Sequence, residues 1–272
     1  MTGVFVLLVL AIVGVLLVVK VTRGSTVATP PAVTPAPVAV VQEAASVPAA
    51  TWDTVGAPAP NGPPPSVLQG QRPLGLEGRP GVLFVGSVFS PYSAALRWAL
   101  VVALSRFGSF SHLGATTSSS AEVFSGIPTF SFVGTTFQSR YLSLSAVEEF
   151  GPSLDSTVPA GFPPLRRPPG WAQALMRRDG NGSEVPFLDV DNRVVMVGAQ
   201  IGFSPGVLQG RSMAQIGGEL ASPTAPVAQA VVGEANVITA ALCQATGGRP
   251  GPVCRSSGAR AGALRLGASG RG

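Results

Sequence analysis

The stretch Val88-Phe89-Ser90-Pro91-Tyr92-Ser93 carries two serine hydroxyls three residues apart, where an apolar strand-like run gives way to a helix-like one. Thiols at those two positions would make a dithiol–disulfide exchange site. A thiolate stabilised by a helix N-terminus would attack, and the second sulfur would resolve the mixed disulfide. Serine performs neither step, because its hydroxyl forms no mixed disulfide and ionises far too weakly to replace a thiolate. Hydrolase chemistry would need a base and an oxyanion site. The single histidine, His112, lies past the far end of the same helix, about 25 Å away if the helix runs roughly 17 residues. No catalytic residue is assigned. The same residues also have a purely structural reading. Ser90 is a good N-cap, and Pro91 suits the first helical position, where its missing N–H costs nothing.

Cys243 and Cys254 are the only cysteines. Three states are open to them: a structural disulfide, a redox-active pair, or two free thiols. With no further cysteine or neighbouring histidine to complete a metal site, the disulfide is favoured. It would close a short loop worth about 3 kcal/mol in the chain-entropy model. Carboxylates are sparse. Asp189 and Asp191 fall in a hairpin, and Glu148-Glu149 read as a solvated face. Neither a metal site nor a phosphate loop is present, so no cofactor is expected.

These residues need a scaffold to position them. Residues 81–89, "GVLFVGSVF", form a buried-strand candidate. A helix follows to about Phe107, with Leu96, Ala99, Leu100, Ala103, Leu104 and Phe107 at core spacing and Gly108 as the stop. Short strands are expected near 113–118, 128–133 and 140–145, with a short helix starting in 146–150. A Pro-rich insertion covers 151–170, and a helix 171–178. A hairpin follows, with strands 187–190 and 193–199 about Asp191-Asn192. "RSMAQIGGEL" is a helix. The last helix is expected to be capped by Ser222 or Thr224 and ended by Gly247-Gly248. The order resembles a thioredoxin-like α/β sheet with crossing helices and extra C-terminal helices. In that fold a cis-proline precedes the hairpin, and Pro186 is the candidate, although only about 5–6% of X-Pro bonds are cis.

The segments "VFSPYSAALRWALVVALSRFGSFSHLGATTSSS", "IPTFSF", "VPFLDVDNRVV" and "MAQIGGEL" with "APVAQAVVGEANVITAALCQATGG", together with the spaced cysteines, resemble the membrane-anchored family called domain of unknown function 929. The resemblance runs over about residues 50–255. It implies a thioredoxin-like domain behind a transmembrane segment, and a Cys-Pro-Tyr-Cys motif followed by Ala-Ala-x-Arg-Trp. Arg97 and Trp98 match that pattern. Ser90 and Ser93 depart from it at both cysteine positions. The family name implies no biochemical function.

Gly3 to Val19 is unbroken apolar sequence, close to the lower limit of about 17 residues for a spanning helix. Residues 1–23 are therefore expected to be an uncleaved single-span anchor, 24–50 a Pro/Ala-rich extended linker, 51–255 the domain and 256–272 a disordered basic tail. Lys20 and Arg23 would keep the following chain in the cytoplasm, whereas a disulfide argues for the outer face. A start upstream of Met1 would reconcile the two. The expected location is the plasma membrane, single-pass, with the domain extracytoplasmic. The net charge is +5, with no dense basic stripe, so nucleic acid is not an expected partner. The expected partners are the membrane and an extended peptide or membrane protein. The function expected is a non-catalytic, chaperone-like binding module. The alternative is a thiol–disulfide oxidoreductase working through Cys243 and Cys254.

Overall fold

Val82 to Val85 alternate between two apolar environments, and that alternation sets the layering of the molecule. The computed structural model describes residues 33–57, 62–182 and 184–267. The chain divides into two units, Met1–Pro31 and Ala32–Gly272. The expected anchor lies outside the described residues. The second unit begins with β1 (Thr34–Pro35), α1 (Val38–Ala45), α2 (Ala49–Val55), β2 (Ser66–Val67), β3 (Gly75–Leu76), β4 (Arg79–Gly86) and α3 (Pro91–Leu104). It continues with β5 (Ser109–Ser111), β6 (Gly114–Thr117), β7 (Pro128–Ser131), β8 (Thr136–Gln138), β9 (Ser143–Glu148), α4 (Gly170–Asp179), β10 (Phe187–Val190) and β11 (Val194–Val197). Four helices close it: α5 (Met213–Glu219), α6 (Pro226–Ala245), α7 (Gly251–Cys254) and α8 (Ser257–Arg265).

The main sheet is six-stranded and mixed. β4 lies at its centre, parallel to β9 and antiparallel to β10, which forms a hairpin with β11; β2 adds to β11 and β3 to the start of β4. Side chains alternate across the sheet, as the two-residue period of a strand requires. Val82, Phe84, Leu188, Val190, Val194 and Met196 join the larger core with α3 and α6. Leu83, Val85, Phe187, Val195 and Val197 join Ala172 and Met176 of α4 on the opposite face. The result is helix, sheet and helix in three layers. Between α3 and β9 the chain makes an excursion: β6 and β7 pair with β1, and β5 pairs with β8.

Every residue of α3 except Tyr92 is buried, because the helix is enclosed by the sheet, α6 and the β7 region. A helix covered all round needs no polar face. That is why its apolar pattern is broader than the single stripe its spacing suggests. Among the described residues one helix, α6, is long and apolar enough to cross a membrane, but its most apolar stretch is 78% buried inside the domain.

Several expectations need correction. The part of residues 24–50 that is described is not an extended spacer. It holds β1 and α1, and α2 begins at its end; α1 starts after Pro37 and α2 after Pro48. The prolines punctuate helix starts here, and buried Val40, Ala44 and Trp52 pin these helices to the core. The expected helix start at 146–150 is instead the end of β9, because Val147 and Glu148 are buried in the sheet. α6 begins after Ala225 with Pro226 in its first turn and has no side-chain cap, so neither Ser222 nor Thr224 serves. The expected disordered tail contains α8, capped by Ser256, whose hydroxyl accepts from the Ala259 amide. Its glycines allow this. A Cβ at Gly262 would come within 2.1 Å of the Asn236 carbonyl oxygen.

Candidate functional site

β4 delivers the chain to the start of α3 through Ser87-Val88-Phe89. Ser90 caps the helix: its hydroxyl accepts from the Ser93 amide at 3.1 Å. The Ser93 hydroxyl in turn accepts from the Ser87 amide at 3.3 Å. Ser93 is fully buried and Ser90 is 5% exposed. Both hydroxyls are thus engaged in closing the helix start, with Pro91 in the first turn. Tyr92, half-buried, meets Phe124 edge-on at 6.2 Å.

The Pro-rich insertion covers this helix start. It leaves the end of β9 and returns beside it, through the Gly151 amide to the Pro163 carbonyl (2.8 Å) and the Leu165 amide to the Glu149 carbonyl (2.7 Å). At its base, next to Pro163, Phe162 stacks on Phe89 with ring centroids 4.0 Å apart and planes 8° from parallel. Phe89 is the residue before the cap.

Pro186 sits at the same end of the sheet. Phe187 pairs with Val85, so continuing the register sets Pro186 opposite Gly86. The Val185–Pro186 peptide bond is cis, and the Pro186 carbonyl accepts from the Gly198 amide at 2.9 Å. A cleft of about 350 Å³ opens beside this end, lined by Glu149, Arg167, Pro168, Gln173, Met176, Arg177 and Gly182. The Glu149 amide donates to the Gly86 carbonyl at 2.7 Å. Burial pushes the Glu149 carboxyl above its ordinary range.

Beneath the motif lies a buried ion pair. Arg97 donates through Nε to Glu148 Oε1 at 2.8 Å and through Nη2 to Oε2 at 2.6 Å, and Nη2 also reaches the Ser87 carbonyl at 3.0 Å. The two side chains are 0% and 2% exposed. Glu148 is therefore not on a solvated face, as its sequence neighbourhood suggested. One arginine ties together α3, the end of β4 and the end of β9. The sequence did hold a signal for this: an arginine inside an otherwise apolar helix requires an acid partner. It did not say which acid.

Cys243 and Cys254 form a disulfide. It lies toward the other end of α3, since Arg106, just past that helix, reaches Thr239 Oγ1 at 3.5 Å and Ser256 Oγ at 3.1 Å. α3 itself is about 21 Å long, so the sulfurs and the Ser90–Ser93 cap are far apart. His112 lies in the loop between β5 and β6, also beyond the end of α3, with a positive φ of 58°. In the hairpin, Asp189 is fully buried and accepts from the Asn192 amide at 2.7 Å. Burial pushes its carboxyl up to about 7.

These elements define a mixed α/β domain in which a helix lies between two neighbouring parallel strands, β4 and β9, and a hairpin extends the sheet on the other side of β4. The family model described as Domain of unknown function (DUF929) matches residues 66–161, from β2 into the insertion. The matched stretch contains Ser90, Ser93, Arg97 and Glu148, and it bears out the family resemblance there. No curated protein and no solved structure matches the chain.

Proposed function

We propose that this chain is a membrane-tethered, thioredoxin-like module that binds extended peptide or protein segments without exchanging disulfides, on the outer face of the plasma membrane. One observation carries the reading. The two positions where the resemblance implies cysteines are Ser90 and Ser93; the Ser90 hydroxyl caps α3, and the Ser93 hydroxyl accepts from the Ser87 amide in the turn that leads into it. The strand order β11-β10-β4-β9 supports the thioredoxin-like assignment, because a helix crosses between the two parallel strands and an antiparallel hairpin follows. The cleft lined by Glu149, Arg167 and Gln173 offers a polar wall for an extended segment at that end of the sheet. The apolar run Gly3–Val19 supplies the tether, and the disulfide favours the oxidising side.

The alternative is a thiol oxidoreductase acting through Cys243 and Cys254, which are only partly buried. Its sulfurs are remote from the helix start that would activate a thiolate. The test is a titration of fluorescent extended peptides of varied sequence into the full chain in lipid nanodiscs, followed by anisotropy. Some peptides should bind saturably, and Gln173→Trp, which fills the cleft, should weaken them at least about tenfold, or ~1.4 kcal/mol. If no peptide binds saturably, or if Gln173→Trp leaves binding unchanged, this reading fails.

A further inference from the structure

We propose that the cleft between the start of β4, the β8–β9 link and the turn after α6 binds a small anion carrying two or more negative charges on phosphoryl groups, held by Arg140 and Arg249. The cleft has a volume of about 650 Å³, and Arg79, Arg140, Tyr141, Thr246, Gly247 and Arg249 line it. Its three arginines come from separate elements. Arg79 opens β4, Arg140 lies between β8 and β9, and Arg249 lies between α6 and α7. No carboxylate is among the described residues that line it. Like charges brought together in a concave site raise one another's energy, and an anion relieves that cost.

The three guanidiniums are not equivalent. Arg79 is already committed: it donates to Ser143 Oγ at 3.0 Å, to the Ser139 carbonyl at 2.7 Å and to Glu77 Oε2 at 2.9 Å. Arg140 stands over the Tyr141 ring at 5.0 Å and donates no hydrogen bond among the described residues. Arg249 donates through Nε alone, to the Thr246 carbonyl at 3.5 Å, so its two Nη groups have no partner among the described residues. Both side chains belong to exposed residues, so neither holds the core together. The Arg249 backbone is nevertheless fixed. The Thr246 hydroxyl donates to its carbonyl at 2.6 Å, and the Cys243–Cys254 bond closes the loop that carries it. Two uncommitted guanidinium forks match the spread oxygens of phosphoryl groups. Two positive charges with no acid between them call for at least two negative ones. A free phosphate ester, a pyrophosphate and a phosphomonoester lipid headgroup share this chemistry. This inference is independent of the peptide-binding reading.

The experiment titrates pyrophosphate into the full chain in zwitterionic nanodiscs, by calorimetry in magnesium-free buffer at about 0.15 M salt, where long-range attraction is screened. Binding should be saturable. Arg140→Gln and Arg249→Gln should each weaken it about tenfold, and the two together should abolish it. Glu77→Gln, which releases Arg79 Nη2 from its ion pair, should tighten binding about threefold, a gain that misfolding does not imitate. Arg166→Gln, an exposed arginine of the insertion with the same change of charge, should bind like the wild type. The titration is repeated in nanodiscs containing phosphatidic acid, against phosphatidylglycerol at matched charge. Weaker pyrophosphate binding with phosphatidic acid alone makes the lipid headgroup the ligand, and equal binding makes it a free phosphate. The proposal is overturned by absence of saturable binding, by a loss in Arg166→Gln equal to that in Arg140→Gln, or by Glu77→Gln binding more weakly than the wild type.

Discussion

Arg97 has no route to water, and its charge is held by one carboxylate, one backbone carbonyl and the ring of Phe84, 5.8 Å from the guanidinium carbon. A buried pair of this kind stabilises little relative to a hydrocarbon pair, because desolvation offsets the attraction; breaking it from one side is expensive. Glu148→Gln should therefore lower unfolding free energy by about 3–5 kcal/mol, measured by urea denaturation. Arg97→Met combined with Glu148→Leu should recover most of that loss. If the double variant is no more stable than the single one, the pair has a role beyond satisfying its own charges. From the sequence, Arg97 was legible through the family pattern, whereas Glu148 read as one of two adjacent acids on an exposed face. Only the strand register, with Gly86 opposite Glu148, brings it under α3. Register is a tertiary fact that spacing along the chain does not contain.

At the scale of elements, the hairpin and the insertion make separate predictions. Asp189 is held above the ordinary carboxylate range in the folded chain. A raised folded value means that the native state binds the proton more tightly than the unfolded state. The associated stability is fully present below the unfolded carboxylate range and is lost as pH rises through about 7. Asp189→Asn keeps an acceptor for the Asn192 amide and removes the titration. It should be more stable than the wild type at pH 8, and the advantage should disappear at pH 4, by denaturant unfolding at both values. The insertion predicts restricted access to the cap. With Ser90→Cys as a probe, Phe162→Ala should speed thiol labelling by at least about tenfold; equal rates would mean that the Phe89–Phe162 stack does not cover the cap. The hairpin was readable because Asp191-Asn192 is a strong turn signal and both residues take positive φ (56° and 53°). The cover was not, because a Pro-rich segment carries no periodicity that says where it folds back. Nor was α8 readable, since its Gly and Ala content looks like a flexible tail until Gly258 and Gly262 are seen packed against Asn236.

For the whole molecule, the order of strand, crossing helix, strand, helix and hairpin followed from apolar runs and turn residues. The depth of burial did not. α3 and α6 lie in one layer over the sheet, so two helices that read as amphipathic or membrane-like are core helices. Local pattern reports a face, and the number of covering partners is set by the fold. The proposed function requires a helix start shaped like a thiol-exchange site that performs no exchange. The measurement is insulin-disulfide reduction by the full chain in nanodiscs, with dithiothreitol as the reductant. The wild type should not exceed the uncatalysed rate, and the Ser90→Cys, Ser93→Cys, Phe162→Ala variant should exceed it clearly. Turnover by the wild type that is lost in Cys243→Ser would overturn the proposed function.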